Sequence, residues 1–301
     1  MCSSDLAPSA VSLSVSNTAA ADGFSESVGI QSASTTGAFG VTNGLGGTRV
    51  NAGATQTGAL SVSLGAGAVA GANSGTLALQ YVSDGTGTSG LGTIASNSQN
   101  VSLSATGYNA AAGSTSPSPV VLGNQRVGGT LSQALTVSNT AVAGAFSEDL
   151  RASFGTNTGS AQNNAGSASS VLAGASNASA LSVGVNTATA GAKTGTVTVN
   201  YETLGAVNGV SNGLGTASAG SQTINVSGNV YNAAAANTLS DVVFANRHVG
   251  SAASQALSIS NVAPSGSFTE SLNASFGTAT GNATTNGGSA SLLAEIGRAH
   301  V

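Results

Sequence analysis

The sequence predicts an all-β chain assembled from tandem sandwich-like domains, and three observations carry that reading. "SQALTVSN" (132–139) returns as "SQALSISN" (254–261), with "VSLSVSN" (11–17) as a third copy, so Leu13, Leu135 and Leu257 stand 122 residues apart and then 122 again. Within each copy apolar residues alternate with polar ones, the pattern of a half-buried strand. No stretch sustains the apolar period of an amphipathic helix. A period of about 122 residues is too long for one solenoid coil but suits a domain with its own core.

The correspondence runs well beyond that one segment. Phe24, Phe146 and Phe268 are again 122 apart, within "GFSES", "AFSED" and "SFTES". "ASFGTNTG" at 152–159 returns as "ASFGTATG" at 274–281. Tyr81 and Tyr201 are 120 apart, and "YNAAA" at 108 and 231 recurs after 123. Such drift is expected where insertions and deletions fall in loops between fixed elements.

Taken in order, the second copy opens with an apolar strand, "VVLGNQRV" (120–127). In "SQALTVSN" Leu135 and Val137 alternate with Thr136 and Ser138. "EDLRASF" (148–154) and a short "SVLA" (170–173) follow. Leu181, Val183 and Val185 alternate next, matching Leu60, Val62 and Leu64 of the first copy. "GTVTVNY" (195–201) puts Val197, Val199 and Tyr201 on one face, with Leu77, Leu79 and Tyr81 as counterparts. "QTINVSGNVY" (222–231) closes the copy with Ile224, Val226 and Val230, against Val101 and Leu103 earlier. Gly, Asn and Ser punctuate these runs, as turns require. "NAAAAN" (232–237) lacks an apolar stripe and reads as a linker.

About seven short strands with one wet and one dry face are the signature of an immunoglobulin-like β-sandwich. The usual core Trp and cysteine pair are absent, so Val, Leu, Ile and a few aromatics must fill the interior. Leu135, Val137, Leu150, Phe154, Leu181, Val183, Val197, Val199, Ile224 and Val226 are expected to share one core. The repeat boundaries follow as 7–112, 118–231 and 239–294. By this count the first copy lacks its opening strand and the third its second half, leaving the middle one complete. Half a sandwich exposes apolar surface and unpaired edges, so 239–294 is expected to pack poorly.

The ends are unlike the rest. "EIGRAH" (295–300) can be encoded GAG ATC GGA AGA GCA CAC, whose reverse complement, GTG TGC TCT TCC GAT CTC, reads "VCSSDL". With GTG as a start codon that is Met1 to Leu6. Both ends resemble translated sequencing adapter, and residues 1–6 and 295–301 are read as adapter-derived. The only cysteine, Cys2, and one of two histidines, His300, fall in these pieces.

"LGNQRVGGTLSQALTVSNT" and "VFANRHVGSAASQALSISN" carry a resemblance to a known family. An apolar strand, Gly or Asn, a basic residue, Val-Gly, Ser-Gln and an alternating strand ending in Asn resemble the choice-of-anchor D type of bacterial surface repeat. That type is related to the ASH (hydin-like) immunoglobulin-fold domains. The resemblance implies a multi-repeat bacterial secreted or surface protein.

Composition limits the function classes. Charged residues are 5% against about 25% in ordinary soluble domains, and 43 residues are Gly. A net charge of −4 argues for neither a nucleic-acid partner nor an anionic membrane surface. The longest small apolar runs, such as "GAGAVAGA" (65–72), fall far short of a membrane span. Disorder is disfavoured by 40% apolar residues without a high net charge.

Each motif that suggests chemistry has a plainer explanation. "GTGTSG" (85–90) fits a dinucleotide-loop pattern, but no helix follows to meet a pyrophosphate, so a turn is expected. Asp84 in "SDGTG" lacks the further carboxylates calcium wants. Glu26, Glu148 and Glu270 recur two residues after the repeated Phe, and only Glu148 has an acidic neighbour, Asp149. Adjacent strand residues face opposite ways, so a structural role across the sandwich is expected for the Glu. His248, beside Arg247, has no triad or metal partners and is expected on a solvent-facing strand. No catalytic, cofactor-binding or metal-ligating residue is therefore expected, and no cofactor. The expected role is a non-catalytic spacer or adhesion segment outside the cell, touching neighbouring repeats or a surface ligand. A β-helical adhesin or autotransporter passenger is the alternative, although its coils would repeat every ~20–30 residues.

Overall fold

The computed structural model describes residues 10–294, and the adapter-like ends lie outside the described residues. Every regular element among the described residues is a strand. The first unit comprises β1 (Val11–Ser16), β2 (Ser27–Thr35), β3 (Phe39–Asn43), β4 (Thr55–Leu64), β5 (Gly71–Asp84) and β6 (Thr93–Gly107). These form two three-stranded sheets, β1-β4-β3 and β2-β5-β6. Leu60 and Val62 from one sheet and Leu77 and Leu79 from the other meet in a single apolar cluster.

The second unit holds β7 (Gly113–Ser116), β8 (Val120–Arg126), β9 (Ser132–Asn139), β10 (Leu150–Gly159), β11 (Ala161–Asn163), β12 (Ser167–Val171), β13 (Ser176–Val185), β14 (Gly191–Thr203) and β17 (Ala217–Tyr231). Between the last two lies a two-stranded hairpin, β15 (Ala206–Val207) and β16 (Val210–Ser211). Its turn is Asn208-Gly209, both at positive φ (51° and 78°). Asn and Gly bear that conformation at least cost, which is why an Asn-Gly pair sets a two-residue hairpin.

A five-stranded sheet, β12-β10-β14-β17-β8, packs against a four-stranded one, β11-β13-β9-β7. The predicted core list is buried in one cluster, with Phe154 only partly covered. Phe154, opposite Val199, is the last paired residue before the β10–β14 register slips ahead of Asn157. The register explains the shared interior: Leu135 lies opposite Leu181, and Val197 opposite Ile224, so one period-two face of each strand points inward.

Two strands of the sandwich sheets were not foreseen, and neither was the β15–β16 hairpin. β7 comes from "GSTS", a stretch without apolar residues that reads as a loop, yet it pairs with β9. The sandwich therefore begins at Gly113, five residues before the expected start at 118. Pro117 and Pro119 follow it, where the chain leaves one sheet and joins the other as β8. β11, only three residues long, was likewise below what alternation can reveal.

The named ladders are antiparallel except β8–β17, which is parallel. A β-helix stacks parallel coils, so the alternative architecture does not describe these sheets. Among the described residues no helix is long and apolar enough to cross a membrane.

Beyond Tyr231 regular structure is sparse. β18 (Leu272–Ser275) pairs with β19 (Ser289–Leu293), and the copy of "SQALTVSN" at 254–261 makes only a single bridge, Asn261 to Ala236. Residues 242–248, the copy of β8, are exposed and form no strand. His248 is thus exposed as expected but not on a strand.

Candidate functional site

The repeat motif ends in Asn each time, and the structure shows what that Asn does. In the second unit the buried Asn139 Nδ2 donates to the carbonyls of Glu148 (2.9 Å) and Val171 (3.1 Å). Asn17 donates likewise to Glu26 (2.9 Å) and Val50 (3.1 Å), and Asn261 to Glu270 (2.9 Å) and Leu293 (3.3 Å). The side chain thereby ties the end of one strand to the start of the next and to a third segment. A buried carbonyl without a partner is costly, so one amide settles two of them.

The Asn Oδ1 faces outward from the unit, toward the incoming linker. Asn139 Oδ1 accepts the Ala112 N–H (3.1 Å), and Asn261 Oδ1 accepts the Ala235 N–H (3.1 Å). The return bonds also match, with Thr140 N–H to the Ala112 carbonyl and Val262 N–H to the Ala235 carbonyl, each 2.7 Å. One residue at the start of "NAAA" completes the clamp. Asn109 donates its N–H to the Phe146 carbonyl (2.8 Å) and accepts from Glu148 N–H (3.0 Å). Asn232 does the same with Phe268 (2.8 Å) and Glu270 (3.0 Å).

The recurrent Phe and Tyr close the joint with a ring contact. Tyr108 meets Phe146 at 5.7 Å between centroids, and Tyr231 meets Phe268 at 5.4 Å, both tilted. Tilted rings at this spacing attract through their quadrupoles as well as by burial. The 123-residue offset of the linker and the 122-residue offset of the loop it grips are thus two halves of one device.

The recurrent Glu belongs to the same joint. Buried Glu148 accepts from the Thr203 hydroxyl and, at 2.6 Å, from Asn212 Nδ2. Thr203 Oγ1 in turn accepts the linker's Ala111 N–H (3.0 Å). The carboxylate fixes the hydroxyl so that its lone pair meets the linker. Glu148 therefore acts along its own sheet and into the joint, not across the sandwich. In the first unit Glu26 accepts from Ser83 and Ser89, each 2.7 Å. Those two hydroxyls, Ser89 foremost, lower its pKa. Glu270 instead shares the single Arg126 Nε–H between its two oxygens, at 2.9 and 3.0 Å.

Asp149 has separate work. It accepts from the N–H groups of Asn208 (3.1 Å) and Gly209 (2.7 Å) and so anchors the hairpin turn. Glu148 and Asp149 are both buried but turn to different partners, as their alternation predicts.

The remaining sequence candidates lie at a strand end or in turns. Asp84 binds Arg49 (2.8 Å) and the Thr86 hydroxyl (2.6 Å) and N–H (3.0 Å). Thr86, followed by Arg49, holds its pKa down at about 2. The fold brings Glu26 to the same loop, which the sequence did not suggest, and the cation present there is Arg49. "GTGTSG" is a turn between β5 and β6. Among the described residues no group of three or more metal-type side chains gathers.

Sequence reasoning missed two joint residues. Gln222 binds the Thr115 N–H (2.9 Å) and carbonyl (2.8 Å), fastening β7 to a strand of the opposite sheet. The Tyr201 hydroxyl contacts Thr115 Oγ1 (2.6 Å) and donates to Gln222 Oε1 (3.0 Å). Tyr81 donates to Gln99 (2.9 Å) in the first unit, so the pair repeats. The signal was present, since Gln99 and Gln222 share the linker's offset of 123.

No protein-family model matches the sequence. No curated protein matches it either. A crystal structure of a protein of unknown function from Porphyromonas gingivalis W83 is similar over 72% of this chain and 88% of that one, at 12% identity and a TM-score of 0.21. Similarity at that level carries no argument about fold or role.

Proposed function

We propose that the chain is a non-catalytic spacer or adhesion segment of a bacterial secreted or cell-surface protein, built from tandem immunoglobulin-like sandwiches of the choice-of-anchor D type. One observation carries this reading: the same joint is built twice, at Asn109 and at Asn232, with matching backbone bonds, Asn side chain and ring contact. A linker that only connected domains would have no need of a repeated set of buried partners. A joint that fixes each unit on the next converts added copies into length, which is what a stalk requires. The polar surface of Ser, Thr, Asn and Gly keeps such a stalk soluble with few charges.

The test is to lengthen the protein with one, two and three further copies of residues 109–231 and measure the maximum dimension by small-angle scattering. A fixed joint gives an equal increment per copy. Growth approaching the square root of copy number, as for a freely jointed chain, would overturn the reading.

A further inference from the structure

The turn that closes the β15–β16 hairpin carries a reactive dipeptide held by a buried carboxylate. Asn208 and Gly209 form the two-residue loop between Val207 and Val210, both at positive φ (51° and 78°), which makes the turn type I′. Asp149, only 1% exposed, accepts the Asn208 N–H at Oδ1 (3.1 Å) and the Gly209 N–H at Oδ2 (2.7 Å). Its main chain fastens the hairpin as well, its N–H donating to the Ala206 carbonyl (2.8 Å) and its carbonyl accepting the Leu204 N–H (3.0 Å). Asn208 itself is exposed. The two features come together. The first unit has Ser27 in the place of Asp149, and the loop between β5 and β6, residues 85–92, holds no Asn.

In an Asn-Gly pair the following nitrogen reaches the side-chain amide with least hindrance, because Gly puts no Cβ in the way. In that reaction the bond from Gly209 N to Asn208 Cγ forms and the Cγ–Nδ2 bond breaks. The Gly209 proton leaves with the departing nitrogen as ammonia. Water then opens the five-membered imide at either carbonyl, giving aspartate or an iso-aspartyl link. Two features of the turn oppose the first step. Ring closure needs Asn208 Cβ and Gly209 N on the same side of the Cα–C bond, and an I′ turn, with ψ of about +30° at its first residue, sets them nearly opposite. The nitrogen must also give up its proton, and a carboxylate 2.7 Å away disfavours a second negative charge there.

We propose that Asn208 is a latent modification site, converted to aspartate and iso-aspartate by attack of the Gly209 nitrogen, and that Asp149 keeps it dormant while the hairpin is closed. The iso-aspartyl product puts an extra methylene into the main chain, so a two-residue turn can no longer pair Val207 with Val210. Loss of that pairing reaches the joint. Asn212 follows the hairpin, its N–H bound to the Gly205 carbonyl (2.8 Å) and its Nδ2 to Glu148 (2.6 Å). Glu148 in turn fixes the Thr203 hydroxyl that receives the Ala111 N–H. Conversion of one exposed amide thus loosens the linker's grip on the second unit.

The test incubates the full chain at neutral pH, folded and in urea, and follows residue 208 by peptide mass mapping. Folded protein should convert at least ~10-fold more slowly than unfolded, since the turn must open first. Asp149→Asn, with its fold checked by hydrogen exchange on β10 and β14, should convert at least ~3-fold faster than the folded parent. Asp149→Ser, smaller and equally uncharged, replaces it if that protection is lost. Asn43-Gly44 lies in the first unit and should keep its rate throughout the folded series, as an internal reference. The iso-aspartyl form, separated by ion exchange, should show faster hydrogen exchange at Asn212 and Ala111. Equal conversion folded and in urea overturns the proposal. So does slower conversion in the uncharged variant, since Asp149 would then be the base that promotes attack. An iso-aspartyl form whose Asn212 and Ala111 amides exchange as in the parent overturns the link to the joint.

Discussion

Replacing Asn139 with Ala removes the side chain that binds two buried carbonyls and receives two N–H groups. Nδ2 holds the Glu148 and Val171 carbonyls inside the unit, while Oδ1 takes the N–H of Ala112 and of Ala141 (3.2 Å) nearer the surface. The latter two can turn to water, and the buried carbonyls cannot. Each buried group left unsatisfied costs about 1–3 kcal/mol, so the loss of two should cost about 2–6 kcal/mol. Hydrogen exchange read by mass spectrometry on β10 and β14 isolates this unit from its neighbours. Their most protected amides should exchange roughly 30- to 20,000-fold faster. Asn139→Asp keeps the acceptor but turns a carboxylate toward two carbonyls, and should be at least as damaging at neutral pH. Ser138→Ala loses only an exposed contact with Ser176 (2.8 Å) and serves as the control. A change within ~0.5 kcal/mol for Asn139→Ala, the range of ordinary surface substitutions, would refute the reasoning.

Gly113→Ala should release β7, because a Cβ there would lie 2.3 Å from ring atoms of Tyr201; faster exchange at Ser114–Ser116 with β10 and β14 unaffected is the expected result, and unchanged exchange contradicts it. Burial raises the Tyr201 pKa above the ordinary 10.0, so its contribution to stability is full below about pH 10 and lost as pH climbs through the folded value. Ultraviolet titration of Tyr201→Phe against the parent should therefore remove a late-ionising tyrosine, and loss of an early one would contradict the packing. Asp84, held at about 2, contributes stability that is present above 3.8 and lost as pH falls through about 2. Carbon NMR of its carboxyl should show a midpoint near that value, and one near 3.8 would mean that the Thr86 and Arg49 contacts do not form in solution.

The core was readable because burial imposes a period of two, and Leu135, Val197 and Ile224 announce it by alternating with Thr, Ser and Asn. β7 was not, because "GSTS" buries little apolar surface and is held by Gln222 and the β9 ladder, partners more than a strand away in sequence. The recurrent Asn, Phe and Glu were visible as repeats, but their partners lie in a linker with its own offset, and spacing alone does not join the two. The expectation that Glu148 reaches across the sandwich failed for a related reason. Thr203 sits beside it through the Leu150–Thr203 pairing, a register that no local pattern encodes.

The joint at Asn109 is proposed to hold consecutive units in one orientation. Residual dipolar couplings measured for backbone amides of 11–107 and 113–231 in one weakly aligned sample test it most directly. A single alignment tensor fitting both sets is the predicted result; two tensors of different magnitude, unchanged by Asn109→Gly with Tyr108→Ala, would contradict it.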